Sequence, residues 1–206
     1  MASGESLCLI GGGGHALVVF ESAVAGGTDV AGFYDDNPDA GLGAYTRHLG
    51  TIEELLAGAS TETSTTHLAL GALDLRRRLI RALPDMQWTS LVHPSATISP
   101  LAMLGPGTFV GPGVVINGRT TVGAHGIINS NAVVEHDCTV GENVHLAPRT
   151  VLGGHCTVGS DTLVGIGATV LPHRCIGDHC TIGGGSVVTR DVSDNSTVLG
   201  VPARAC

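Results

Sequence analysis

Within a tract made almost wholly of Val, Ile, Leu, Thr, Ala and Gly, residues 133–141 read VVEHDCTVG, and three neighbours there, Glu135, His136 and Asp137, carry or can carry charge. An imidazole beside a carboxylate has an evident chemical use. The carboxylate can hold one ring nitrogen and leave the other as a proton acceptor near neutral pH. General-base help of that kind contributes roughly 10²–10⁴-fold to a rate. A solvated polar corner without chemistry is the plain alternative, and the residue types alone do not choose between them.

The surrounding pattern says where these side chains must lie. Ile98, Leu104, Val110, Ile116, Val122, Ile128, Val134, Val140, Leu146, Leu152, Val158, Val164, Val170, Ile176, Ile182 and Val188 fall at every sixth position without an insertion. A six-residue repeat is a short parallel strand plus a turn, and three repeats close a triangular coil of about 18 residues with the aliphatics pointing inward. Burying each of these side chains contributes roughly 1.5–3 kcal/mol before chain entropy is subtracted. Two positions before each aliphatic the residue is usually small, as a narrow interior requires. Gly often follows the aliphatic, where the corner is expected to need unusual backbone angles.

Residues n and n+18 therefore stack about 4.8 Å apart. Val134 points inward, so Glu135, His136 and Asp137 occupy the outside of a corner. The positions eighteen before and after His136 are Gly118 and Gly154. Bare backbone above and below the imidazole leaves a face against which a ligand can lie.

Residues 6–92 read differently. An apolar strand, a Gly loop and a helix (SLCLIGGGGHALVVFESAVAGG) lead to a second strand ending in two acids (DVAGFYDDN). A helix (TIEELLAG), a strand (THLALGAL), a basic helix (DLRRRLIRAL) and a short strand near WTSLV follow, in outline βαβαβαβ. Gly11, Gly13 and Ala16, with Asp35 and Asp36 about twenty residues on, formally satisfy a dinucleotide-binding fingerprint. A segment this short supplies one mononucleotide-binding half, whereas a nicotinamide cofactor spans two. A single nucleotide fits better, its diphosphate facing the Gly loop and helix N-terminus and its hydroxyl or base N–H groups facing an acid. A tight turn with no ligand is the bland reading of the same glycines. The expected division is a Rossmann-like domain over residues 1–92 and a β-helix over 93–206.

Composition narrows the function classes. With 43% hydrophobic and 14% charged residues the chain is a compact globular protein, and 3% aromatics with 31 Gly favour a core of small and branched aliphatics. A net charge of −8, no Lys, and no basic cluster beyond LRRRLIR argue against nucleic acid or an anionic membrane as partner. The absence of an apolar signal segment or a membrane-length apolar run sets the expectation of a cytoplasmic protein. The six Cys form no CxxC pair, and no two His stand five residues apart as a zinc site between such prisms requires, so no metal is expected. His93, before Pro94, reads as a structural mark of the domain junction, and His125, His155, His173 and His179 read as solvated corner or outward-facing residues.

The motifs GGGGHALVV, the DD after the second strand, VHPSATISP, NSNAVVEHDCTVG, VHLAP, LVGIGATVLP, IGGGSVV and the closing GVPAR together resemble the hexapeptide-repeat family of bacterial nucleotide-amino-sugar N-acetyltransferases, which also contains sialic acid O-acetyltransferase-like members. The resemblance runs nearly end to end. It implies a left-handed parallel β-helix behind the Rossmann-like domain, homotrimers, acetyl-CoA as acetyl donor lying between neighbouring prisms, and a nucleotide-linked 4-amino-deoxy sugar as acceptor for surface glycan synthesis. By the same resemblance His136 is the general base, Asp137 orients it, and Asn129 assists. His145, Gly154, Ile166 and Gly184 contact the coenzyme; Gly13, Gly14, His15, Asp35, Asp36 and Gly71 contact the acceptor. Relatives commonly carry an acid or amide pair after the position of Gly71, where this chain has Ala72 and Leu73. O-acetylation of a sialic acid, and a sugar-nucleotide-binding prism without catalysis, are the alternatives.

Overall fold

The computed structural model describes residues 6–58 and 65–206, and the chain divides into two compact units, Met1–Pro94 and Ser95–Cys206. The first is a parallel sheet with helices. β1 (Leu7–Ile10) is buried along its whole length, as a central parallel strand covered on both faces must be. α1 (Gly14–Ala25), β2 (Val30–Tyr34), β3 (His48–Gly50), α2 (Ile52–Leu56), β4 (Thr65–Leu68) and α3 (Leu73–Ala82) follow, with strand order β3-β2-β1-β4. Cys8, Ile10, Tyr34, Leu55, Leu68 and Leu79 form one buried cluster of its core. α2 begins on a capping box: Thr51 Oγ1 accepts from Glu54 N at 3.1 Å, and Glu54 Oε2 accepts from Thr51 N at 2.7 Å.

Two details differ from the expected βαβαβαβ. β3 is an additional strand, held by the pairing of Phe33 with His48 and Tyr34 with Gly50. Three residues are too few to show a period. The strand expected near WTSLV is reduced to a single Thr66–Trp88 bridge and the two-residue β5 (Leu91–Val92).

The second unit is the left-handed parallel β-helix, a stack of two-residue strands in three sheets. One sheet carries Phe109–Val110, Ile127–Ile128, His145–Leu146, Leu163–Val164 and Thr181–Ile182. The next in chain order carries Thr97–Ile98, Val115–Ile116, Val133–Val134, Val151–Leu152, Thr169–Val170 and Val187–Val188, and the third Met103–Leu104, Thr121–Val122, Thr139–Val140, Thr157–Val158 and Cys175–Ile176. Pairs such as Val133–Val151 and Thr139–Thr157 keep the eighteen-residue register. It shortens at the end, where Ile182 pairs with Val198. From Val110 to Val188 every sixth-position aliphatic is at most 1% exposed, while Ile98 and Leu104, in the first coil, are partly buried.

The corner backbone corrects one expectation. The unusual angles lie three residues after each aliphatic, not one: every sixth residue from Gly107 to Gly185 has φ between 51° and 68°. Asn, Asp and His fill many of these left-handed positions, being the non-glycine residues that tolerate them best. The glycine directly after the aliphatic serves close approach instead. A Cβ on Gly123 would lie 2.7 Å from the backbone carbon of Gly141 in the next coil.

Candidate active site

His136 lies on the corner between the strands Val133–Val134 and Thr139–Val140. The next residue, Asp137, takes a left-handed φ of 60°. That turn swings its carboxylate back onto its neighbour, where Oδ2 meets His136 Nδ1 at 2.7 Å. Gly154 makes the seat for the ring, since a Cβ there would stand 2.9 Å from Cε1 and 3.0 Å from Nε2 of His136. Any larger residue would occupy the imidazole's place.

Arg119, one coil away, grips the same carboxylate with both arms: Nε to Oδ1 at 2.6 Å and Nη2 to Oδ2 at 2.7 Å. These hydrogen bonds foremost, then the one from His136, hold the Asp137 carboxyl well below the usual carboxylate range; burial opposes them, and the charges of Arg119 and His155 help. In return Asp137 raises the Arg119 guanidinium. An ionised carboxylate only accepts hydrogen bonds, so His136 Nδ1 must donate. The tautomer assigned from this network leaves the Nε2 lone pair open beside Gly154. The pair is thus arranged to take a proton. Glu135 has a different task, its Oε2 accepting from Asn117 Nδ2 at 2.9 Å as a rung between coils.

Among the described residues, His136, Asp137 and His155 offer metal-ligand atoms within 4.8 Å of one another. The guanidinium of Arg119 already sits on both carboxylate oxygens and matches their charge. Three side chains, those of Arg119, His136 and His155, thus gather around the Asp137 carboxylate.

The other expected residues fall into separate groups. Asn129 Nδ2 and His145 Nε2 are 3.1 Å apart, and Asn129 Oδ1 accepts from Ser130 N at 2.8 Å. Ile166 is 64% exposed, and a Cβ on Gly184 would lie 3.2 Å from the Ile166 carbonyl oxygen. Asn129, Ile166 and Gly184 lie on the edge after the sheet of Ile127–Ile128, and His145 in that sheet. His136, Asp137 and Gly154 lie on the following edge. One face of the prism separates the two groups.

One histidine corrects the reading of these corners as solvated: His125 is 4% exposed on its left-handed corner. His155 and His173 are exposed as expected, but His155 also approaches Asp137 Oδ2 to 3.6 Å with Nε2 and stacks on His173. The eighteen-residue register puts Arg119 and His155 in one column with Asp137, but that both turn onto its carboxylate is seen only in the folded corner.

In the front unit, α1 starts after Gly13 with no side chain capping it. A Cβ on Gly13, Gly14 or Gly71 would meet nothing within 4 Å. Open space before uncapped helix N–H groups suits an anion. Asp35 builds this loop, Oδ2 accepting from Gly12 N at 2.7 Å and Oδ1 from Asn37 N at 2.9 Å. Asp36 Oδ1 accepts from Ile52 N at 2.9 Å, at the start of α2. His15, in the first turn of α1, is half-buried.

The chain matches the family models of the PglD N-terminal domain over residues 6–83 and the GMPPB C-terminal domain over residues 86–181. Comparison with curated protein sequences finds no match. Among solved structures, PerB from Caulobacter crescentus in complex with CoA and GDP-perosamine is 38% identical, covering 100% of this chain and 98% of that one, with a TM-score of 0.92. A histidine-to-alanine mutant of the GDP-perosamine N-acetyltransferase from the same organism, also with CoA and GDP-perosamine, is 37% identical over 100% and 98% of the two chains, TM-score 0.92. The acetyltransferase domain of PglB from Neisseria gonorrhoeae in complex with acetyl coenzyme A is 33% identical over 98% and 100%, TM-score 0.91. With such relatives matched nearly end to end, the chain belongs to the family of hexapeptide-repeat, acetyl-CoA-dependent sugar N-acetyltransferases.

Proposed function

We propose that this chain transfers the acetyl group of acetyl-CoA to the amino group of a nucleotide-linked 4-amino-deoxy sugar, with His136 as general base and Asp137 orienting it. The observation that carries the reading is the 2.7 Å contact between His136 Nδ1 and an ionised Asp137, which leaves Nε2 beside a glycine. As the amine nitrogen attacks the thioester carbon, Nε2 takes one of its protons. Collapse of the tetrahedral intermediate breaks the C–S bond and returns that proton to the departing sulfur, giving an amide and CoA thiol. The backbone N–H of Gly154 is the candidate donor to the oxyanion.

Gly13, Gly14 and His15 hold the diphosphate and sugar, with Gly71 on the far wall. Asp35 and Asp36 serve the nucleoside side while bracing the loop and α2. The likeness to an enzyme complexed with GDP-perosamine puts a guanosine-linked acceptor first. The coenzyme contacts His145, Ile166 and Gly184 on one edge and Gly154 on the next, with Asn129 assisting. The separation of those edges favours a homotrimer, in which one protomer's first edge meets its neighbour's second in a closed head-to-tail ring. The cytoplasm, where acetyl-CoA is available, is the proposed location. Among the described residues no helix is long and apolar enough to cross a membrane.

The test is thiol release from acetyl-CoA with GDP-, dTDP- and UDP-linked 4-amino-6-deoxy sugars and with free sialic acid. The nucleotide amino sugars should be the substrates, and His136→Ala should lose turnover while still binding acetyl-CoA. Activity on sialic acid alone, or near-parent turnover by the variant, overturns the reading.

A further inference from the structure

One column of the prism runs Arg119, Asp137, His155 and His173, each on the left-handed corner of its coil with φ between 59° and 62°. Arg119 holds Asp137 from one side. From the other, His155 Nε2 stands 3.6 Å from Oδ2, the oxygen that also meets His136. The ring of His155 packs against His136 with centroids 5.3 Å apart and planes at 89°. It lies flat on His173 at 4.8 Å and 7°. The stack therefore limits where the His155 ring can turn, and His155 in turn bounds the position of His136.

We propose that His155 is a positioning residue for His136: its ring fixes the imidazole's pose, and when it binds a proton at acid pH it draws Asp137 Oδ2 away from His136 and halts the transfer. The inference rests on His136 being the general base. The ionisable groups facing His155 are Asp137, His136 and His173, with Arg119 reaching it through Asp137; Arg174, beside His173, turns to Asp191 at 3.3 Å. A cation on His155 does two things. It competes for the acceptor that orients His136, and it repels the positive charge that His136 must acquire in the step. Full activity thus requires both rings neutral, so the acid side of the rate profile carries one more proton than a lone base would give.

The experiment measures log kcat against pH from 5.5 to 9 for the parent, H155N and H173N, at saturating acetyl-CoA and amino sugar. Asn tolerates the left-handed φ of 59° at position 155. H155N should lose about tenfold in kcat near pH 8, with the KM for acetyl-CoA unchanged. Its acid limb should be shallower than the parent's by one proton; titration of the substrate amine is common to both and cancels. H173N should keep the parent's slope. H155N with the parent's slope overturns the inference. Histidine NMR of the parent supplies a second reading needing no variant: the two rings should titrate as a coupled pair, and independent single-site curves overturn the inference equally. His136→Ala run alongside separates the failures. If it stays active the base assignment falls, whereas if it is inactive and H155N keeps the parent's slope, only the role of His155 falls.

Discussion

Replacing Gly154 by Ala tests the proposed catalytic corner with a single methyl group. The added Cβ would sit 2.9 Å from Cε1 and 3.0 Å from Nε2 of His136. Non-bonded carbons settle at about 3.5–4.0 Å, so the ring has to retreat by roughly 0.6–1 Å. It can do so, because the clash is with the end of a half-exposed side chain and not with backbone. The fold therefore loses little, and Gly154 is not among the left-handed positions, so Ala adds no backbone strain. Catalysis loses more. A misplacement near 1 Å costs about 10²-fold, and here it moves the nitrogen proposed to accept the proton. The assay is thiol release at saturating substrates, with acetyl-CoA affinity by calorimetry and thermal unfolding as controls. A kcat about 10²-fold down, with an unfolding midpoint close to the parent's, is the expected result. A G154A variant within threefold of the parent's kcat would refute the claim that the bare corner positions His136.

Arg119→Gln removes the main cause of Asp137's lowered pKa. A carboxyl depressed in the folded state stabilises it fully above the ordinary value of 3.8 and loses that contribution as pH falls below it. The parent and R119Q should therefore differ in denaturant midpoint at pH 7 and converge on acidification through that value. Gly123→Ala drives a Cβ to 2.7 Å from the Gly141 backbone carbon and 2.8 Å from Glu142 N. Backbone cannot step aside, so about 1–3 kcal/mol should be lost, read as a lower thermal midpoint with kcat per folded molecule kept. Asp35→Ala removes the acceptor of the Gly12 and Asn37 amides; the KM for the nucleotide sugar should rise about tenfold, or 1.4 kcal/mol, while that for acetyl-CoA stays put.

What the sequence by itself determined about this protein is its period. Sixteen aliphatics at six-residue spacing leave a parallel prism as the one way to bury them all, and the eighteen-residue register that follows already puts Gly154 against His136. Sequence motifs, not periodicity, carried the resemblance to the acetyltransferases. Hydrophobic spacing is blind to the sign of φ, however, and that sign aims the corner side chains. Asp137 reaches His136 because its corner is left-handed, and Arg119 and His155 converge on the same carboxylate because theirs are too. Polar corner residues leave no hydrophobic signal, so their partnership depended on tertiary stacking. The same holds for β3, a three-residue strand recognisable only through its pairing with Phe33 and Tyr34. It holds also for the grouping of Asn129 with His145 on a different edge from His136, because which edge a residue occupies becomes physical only when the coil closes.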